Sequence, residues 1–572
     1  MNPGHTRAAI HAAIENAIRE SPLVLINTDS GRLLDKSEQA CSFESQPIFR
    51  ELMSSMSTHI DHTRINHEVA EYYRYATFSH KWEDNEPLYE QVIRIVVYEL
   101  DESLTHDKLQ MFCKIVRNSG FHWAWSDTCC INKGDHFVLQ EALVSMFKWY
   151  EGSAVTIVLL RGVRSPSKCG DLVRSIWNSR GWTLQEYHAS RVVRFYTEDW
   201  KPYLNLDIPN HKESPEIVAE MEEATRVSAR ALMALRPGLD DIREKLRLAS
   251  ARQTTRVEDA AYSLLGIFSM SLPVVYGEGD KALGRFLAQL LTSSGDTSIL
   301  AWTGRSGSFN SCLPTNITVF NHLPTTHIPL AVEDAEIDKA TTRLRTPSLS
   351  STSLMKFYER LRELPVPFFV GQRMKLPCLD FKLGPLSVSR SGLWNVFRAQ
   401  TAIGIVEIRT EEDLSRFSSL YLVHPWIDFL LSQQPVGSIS ETILKERTDD
   451  QSSSIGELSL FSGPSGITPA APQTRAARLI ARLGRPFSGS SDGAASLLPP
   501  SSISSTERQT RALQFMARLR QPFGALLLTP HLGNVAAYRR VAADSLITAQ
   551  VEEITPAILN KLINSVHVLD VL

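Results

Sequence analysis

The sequence predicts an α/β fold between residues 20 and 200, a parallel sheet with helices on both faces. Two observations predict it. Short, β-rich apolar runs recur at 23–27, 75–79, 122–126, 154–160 and 192–196, and runs of that length and composition read as buried strands. Segments of helical period lie between them. In 108–118 the residues Leu109, Phe112, Ile115 and Val116 share one face, and Gly120 follows where a helix stop is expected. In 136–150 the same spacing joins Leu139, Leu143, Met146, Phe147 and Tyr150. Helices long enough to cross over between successive strands favour parallel pairing.

Residues 215–292 carry few strand signals and several helical ones, including 257–268 and 280–291, so a helical subdomain should follow the sheet. Beyond Gly304 the pattern is mixed, with strand-like runs at 374–379, 402–408 and 420–423. Residues 449–506 are rich in Ser, Gly and Pro, a composition that buries too little apolar area to offset ordering entropy. The expected organisation is therefore a sheet domain at 20–210, a helical extension at 211–305, a mixed region at 306–448, a linker at 449–506 and a helical tail at 507–572. One repeat spans the linker and tail: Gln473, Thr474, Arg475 and Ala476, with Pro486 and Phe487, recur 36 positions later as Gln509, Thr510, Arg511 and Ala512, with Pro522 and Phe523. Two copies are too few for a solenoid. A solvated linker helix is favoured over docking to a partner or to an anionic membrane.

Composition narrows the function classes. The 572 residues include 60 basic and 63 acidic side chains, a formal net charge of -3, so no global field draws in nucleic acid or anionic lipid. No nucleic-acid partner is expected. The seven cysteines have no framework spacing, which reads as a reducing compartment. The first 20 residues hold acidic groups and no apolar core of a signal peptide, and no stretch approaches the roughly 20 apolar residues of a membrane span. A cytoplasmic protein is expected.

Three blocks carry a family resemblance. The first is Arg74-Tyr75-Ala76-Thr77-Phe78-Ser79-His80-Lys81-Trp82. The second holds Trp123, Trp125, Asp127, Cys129, Cys130, Ile131 and Asn132, followed by Gln140 and the 146–150 helix end. The third holds Trp177, Arg180, Gly181, Trp182, Thr183, Leu184, Gln185 and Glu186. In this order they resemble the fungal heterokaryon-incompatibility (HET) family, in the form common in mushroom-forming fungi, and the run 255–268 with Tyr276-Gly277-Glu278-Gly279 resembles the segment that follows this domain. The likeness covers residues 20–305. Asn132-Lys133-Gly134 departs from the family, which more often has an acidic or glutamine residue after the isoleucine.

The HET family is in turn similar to Toll/interleukin-receptor (TIR) domains, which implies a flavodoxin-like sheet, self-association and an effector of vegetative incompatibility or programmed cell death. Some TIR domains cleave NAD with a glutamate a few residues after a tryptophan, and Trp182 to Glu186 has that spacing. The resemblance thus implies NAD as a substrate rather than a cofactor, with Glu186 catalytic. The alternative is a non-enzymatic oligomerising adaptor that recruits a protein partner.

Each candidate residue has a plainer reading beside it. A carboxylate near the ribose would stabilise an oxocarbenium-like transition state; the plainer reading, which is favoured, makes Glu186 a structural group paired with Arg180 or Arg256, or one that closes a helix start after Thr183. Ser79, His80, Lys81 and Trp82 follow a strand and suit a nucleotide pocket, Trp82 stacking on a base and Lys81 meeting phosphate; Trp82 as a packing anchor is equally consistent. Trp125, Asp127, Cys130, Ile131, Gln140, Arg180, Trp182, Thr183 and Gln185 complete the HET motif set. Metal ligation is not expected, because Cys129 and Cys130 are adjacent and neither His122 nor His136 completes four ligands. Cys129 as nucleophile with His80 as base lacks a third orienting group. Arg256, Glu258 and Asp259 read as a salt-bridge cluster.

Overall fold

The strand-forming runs of the first 200 residues assemble into one six-stranded sheet. Its strands are β1 (Val24–Asn27), β2 (Arg32–Asp35), β3 (Tyr75–His80), β4 (Trp123–Trp125), β5 (Val155–Leu160) and β6 (Val193–Thr197), in the order β2-β1-β4-β3-β5-β6. This is a computed structural model, and it describes residues 3–56, 59–321, 334–345, 350–391, 394–410, 413–425, 504–531, 534–541, 547–552 and 556–572. The chain divides into two units, residues 1–286 with 316–323 and residues 287–315 with 324–572.

In the first unit β3 runs parallel to β4 and β5, and β5 runs parallel to β6. Every position of β3 and β5 is buried, as expected of parallel strands covered on both faces. Phe112 of the Leu104–Asn118 helix stacks on Phe78 at 4.4 Å from one side. The Thr183–Ala189 helix meets Ser79 from the other. The sheet is not wholly parallel. β1 and β2 form an antiparallel hairpin attached to β4, where the sequence suggested only the first of these strands. A hairpin needs only a tight turn, which Gly31 supplies at φ 73°, and β2 is four residues with no β-branched side chain.

Capping sets the helix starts. Ser103 accepts from the His106 N–H and begins the first crossover helix at Leu104, a full turn before the apolar stripe at 108. Asp135 accepts from the Phe137 and Val138 N–H groups and starts the His136–Gly152 helix. The region after the sheet is helical, with Pro215–Thr225, Ala229–Ala234, Ile242–Ser250 and Lys281–Ser294. The expected helix at 257–268 is shorter, Asp259–Tyr262, and is followed by turns. Gly266 shows why the chain is tight there: a Cβ on it would lie 2.2 Å from the Phe147 Cβ.

The second unit is mostly antiparallel. Its strands are β7 (Phe368–Val370), β8 (Arg373–Lys382), β9 (Leu386–Ser391), β10 (Trp394–Thr401), β11 (Gly404–Thr410), β12 (Tyr421–His424), β13 (Phe523–Gly524), β14 (Leu526–His531), β15 (Asn534–Arg540), β16 (Thr548–Val551) and β17 (Val566–Val571). One sheet has the order β13-β16-β11-β10-β9 and the other β12-β14-β15-β17-β8-β7. An additional β12–β8 pairing closes five strands of the second sheet into a ring.

Residues 507–572 are therefore not a helical tail. They contribute the Ser505–Arg518 helix and five strands, of which β14, β16 and β17 pair with β12, β11 and β8. The partners are separated by more than a hundred residues in the chain, so no local periodicity announces the pairing. The second copy of the repeat falls on the Ser505–Arg518 helix, whose Leu513, Phe515 and Met516 are buried against Phe357 and Leu527. That copy is core. The first copy, like the 449–503 part of the expected linker, lies outside the described residues. Among the described residues no helix is long and apolar enough to cross a membrane.

Candidate functional site

Strand alternation decides which residues of the first block meet. Successive side chains of β3 point to opposite faces, so Thr77 and Ser79 share one face while Phe78 and His80 share the other. On the first face the Ser79 hydroxyl donates to Glu186 Oε2, and Trp177 Nε1 donates to Ser79 Oγ at 2.7 Å. Thr77 and Thr156 share a hydroxyl contact at 2.7 Å, and Ser190 Oγ donates to the Glu186 carbonyl at 2.6 Å. All of these groups are buried. A polar seam thus runs beneath the Thr183–Ala189 helix, signalled in the sequence by hydroxyls at alternate positions of an otherwise apolar strand.

Glu186 sits in this seam at 6 % exposure. Burial pushes its carboxyl up to about 8, the Asp127 charge adds to the rise, and Ser79, Arg180 and Arg252 oppose it. At neutral pH the carboxyl is mostly protonated. Arg252 is itself occupied, donating to the Arg180 carbonyl at 3.0 Å, the Thr183 hydroxyl at 2.8 Å and Asn178 Oδ1 at 3.2 Å. Thr183 in turn donates to the Trp177 and Arg180 carbonyls. Arg252 carried no signal in the sequence reading, because the contact spans about seventy residues. Gly181 fits the same close packing, since a Cβ there would lie 2.5 Å from Thr254 Cγ2.

Asp127, just past the end of β4, accepts from Trp82 Nε1 at 2.8 Å. The Lys133 ammonium lies 4.0 Å above the Trp82 ring and donates to the Thr128 carbonyl at 3.0 Å. One face of Trp82 is therefore already covered by a cation. Lys133 holds the loop that carries Asp127.

The other residues fall elsewhere. His80 stacks on Phe78 at 4.2 Å on the opposite face from Ser79, and burial, followed by the Lys108 charge, lowers its pKa. Its Nε2 stands 3.7 Å from Glu86, which contacts Lys108. The four-residue pocket of Ser79, His80, Lys81 and Trp82 is thus split by the pleat. Lys81 offers its carbonyl, not its ammonium, to Lys108. Trp125 packs edge-on against Trp149 and Tyr150, Cys129, Cys130 and Ile131 are buried, and burial raises the Cys130 thiol far above its ordinary range. Gln140 ties its helix to the Leu272 carbonyl and the Val274 N–H, and Gln185 donates weakly to Met146 Sδ. His122 pairs with Asp29, away from Cys129. Arg256 lies over Tyr276 at 4.2 Å, and its charge favours the ionised forms of Glu258 and Asp259, while Glu258 accepts from the Gly277 and Gly279 N–H groups and Asp259 from the Tyr276 hydroxyl.

The arrangement is a protonatable carboxyl at the carboxyl end of a central parallel strand, next to a second carboxylate and two arginines. It can donate a proton when neutral and stabilise a cation when ionised. The family described as heterokaryon incompatibility protein (HET) matches residues 75–172, which span β3 to β5. The chain carries a HET domain. A curated relative, vegetative incompatibility protein HET-E-1 of Podospora anserina, is 32% identical over 224 residues, covering 37% of this chain and 16% of the relative. The chain thus spans a minor part of that relative's length. No solved structure matches. Within the HET domain region Ser79, Trp82 and Asp127 fall inside the matched segment, whereas Trp177, Glu186 and Arg252 lie beyond it.

Proposed function

We propose that this chain acts in fungal heterokaryon incompatibility, as an effector whose HET domain is switched on by self-association and hydrolyses NAD at Glu186. The observation that carries the reading is the buried, mostly protonated Glu186 carboxyl held by Ser79 at the carboxyl end of β3. Open α/β sheets bind ligands there, where successive connections leave a strand in opposite directions. The parallel strands support it: β4 lies on one side of β3 and β5 on the other, the order of flavodoxin-like and TIR-like sheets.

A positively charged nicotinamide ring beside Glu186 favours the ionised form, so substrate entry converts a neutral carboxyl into the anion that stabilises an oxocarbenium-like ribose. The closed carboxyl needs an opening step, and assembly of several copies in the cytoplasm supplies it in this proposal. The same burial also suits the adaptor reading, in which Glu186 only positions its helix. NAD consumption by the full chain, compared with Glu186→Gln over a range of protein concentrations, separates the two. Glutamine keeps the shape of a protonated glutamate, so loss of turnover with assembly retained supports the hydrolase. Equal cell killing by both chains overturns it in favour of the adaptor.

A further inference from the structure

Two arginines act on Glu186, and they are held differently. Arg252 is buried and spends its guanidinium on the Arg180 carbonyl, the Thr183 hydroxyl and Asn178 Oδ1. Arg180 has a fixed backbone and an unengaged side chain. Its N–H donates to the Trp177 carbonyl at 3.3 Å, its own carbonyl accepts from Arg252 and Thr183, and the next residue, Gly181, donates to the Gln253 carbonyl at 2.8 Å. Among the described residues the Arg180 side chain has no ion-pair partner, and its Nε is buried without a hydrogen bond. The pairing expected with Glu186 does not form, because that carboxyl is turned to Ser79.

The position of this free guanidinium follows from the groups its charge reaches. It acts on Glu186 and on the Tyr150 hydroxyl, which donates to the Phe78 carbonyl of β3 at 3.0 Å. Arg180 therefore stands at the carboxyl end of β3, half-buried, beside the Ser79–Glu186 contact. The charges that act most on Glu186 are one acid, Asp127, and two cations, Arg180 and Arg252. Asp127 is shared, since it accepts from Trp82 Nε1 and its charge also favours the Lys133 ammonium. With Glu186 neutral, positive charge is in excess where the strand ends. A partly desolvated guanidinium with neither counter-charge nor acceptor is costly unless something arrives to supply them.

We propose that Arg180 grips a phosphate of the substrate, so that the site takes a nucleotide and not a free nucleoside. The identity of the substrate rests on the hydrolase reading of Glu186. The bond cleaved in that reading is at C1′ of a ribose whose C5′ carries the phosphate, so the phosphate lies one sugar ring away from the carboxyl. Of the two arginines acting on Glu186, Arg180 is the one with free donors, and the planar guanidinium fork matches two phosphate oxygens at once. Phosphate there also cancels a charge that holds the Glu186 carboxyl down. In the absence of a nicotinamide cation, occupancy raises Glu186 further.

ADP-ribose, which keeps the diphosphate and lacks the nicotinamide, and adenosine, which lacks phosphate, test the proposal when titrated separately into the full chain by isothermal calorimetry. ADP-ribose should bind at one site per chain and adenosine at least about tenfold more weakly, the scale of one charge-assisted hydrogen bond. Inorganic pyrophosphate should compete with ADP-ribose. Arg180→Gln should weaken ADP-ribose about tenfold or more and leave adenosine unchanged, while Arg180→Lys, with the charge but not the fork, should fall between. Because the side chain bonds to nothing in the fold, both variants should melt with the parent. Bound ADP-ribose should raise the Glu186 titration, followed by carbon-13 NMR of labelled glutamate, in the parent and not in Arg180→Gln. Absence of ADP-ribose binding, equal affinity for ADP-ribose and adenosine, or undiminished binding by folded Arg180→Gln overturns the proposal even where NAD is hydrolysed. If a variant fails to fold, the adenosine comparison and the pyrophosphate competition in the parent still decide. NAD left intact by a chain that binds ADP-ribose through Arg180 sinks the hydrolysis instead and keeps the phosphate site.

Discussion

Adjacent residues of β3 anchor two buried carboxyl groups with opposite fates. On the His80 face, burial alone would raise Glu86, but the His80 ring and the Lys108 ammonium in contact with it hold the carboxyl down at about 2. On the Ser79 face, Glu186 has a neutral hydroxyl as its hydrogen-bond partner and another acid, Asp127, nearby, and it rises to about 8. Both side chains are almost inaccessible to solvent, with Glu186 the more deeply set. Partner set and depth together separate an ion pair that builds the fold from a carboxyl left free to change its protonation.

The largest effect should come from breaking the satisfied side. Lys108→Met strands Glu86 and should cost about 3–5 kcal/mol at pH 7 in urea unfolding. Glu86 has a depressed folded-state pKa, so this loss should be full above the unfolded carboxylate range near pH 4.3 and should shrink as pH falls toward 2. Glu186 should show the reverse sign. Its raised pKa makes the folded state the better proton binder, so its contribution is present below about pH 4.3 and lost as pH rises through about 8. Between pH 5 and 8 the stability of Glu186→Gln relative to the parent should therefore grow by about 3.5 kcal/mol, with a slope that approaches roughly 1.4 kcal/mol per pH unit in the middle of that range and falls off near pH 8. A flat difference would place Glu186 with the ionised, structural carboxylates.

Smaller effects test how the helix carrying Glu186 is seated. Gly266→Ala drives a methyl into Phe147 and should cost about 1–3 kcal/mol in thermal unfolding. Trp82→Phe keeps the ring under Lys133 but deletes the donor to Asp127. At this partly exposed site the cost should stay under about 1 kcal/mol, with a change in Glu186 titration, followed by carbon-13 NMR of labelled glutamate, as the sharper readout.

Much of the first unit was legible without coordinates. The run at 154–160 became β5 and the stripe at 136–150 became the His136–Gly152 helix, because strand and helix periods are local properties of consecutive residues. The blocks around Trp82, Asp127 and Glu186 were also visible. Their division was not: Ser79 and His80 look like one motif in a line of text, and only the pleat sends them to opposite faces. Arg252 was invisible for a different reason, since the segment between it and Thr183 has to fold before the two meet.

The second unit marks the limit. Its C-terminal strands read as a tail although β8 and β11 were visible as strand-like runs, because β17 finds β8, and β16 finds β11, across more than a hundred residues, and the choice of partner at that range leaves no local mark. The sequence by itself determined most element types of the first unit, the HET likeness and the balanced charge. Tertiary structure decided which carboxyl is neutral, which cysteines are buried and which distant strands share a sheet, because protonation and pairing depend on neighbours in space and not on neighbours in the chain.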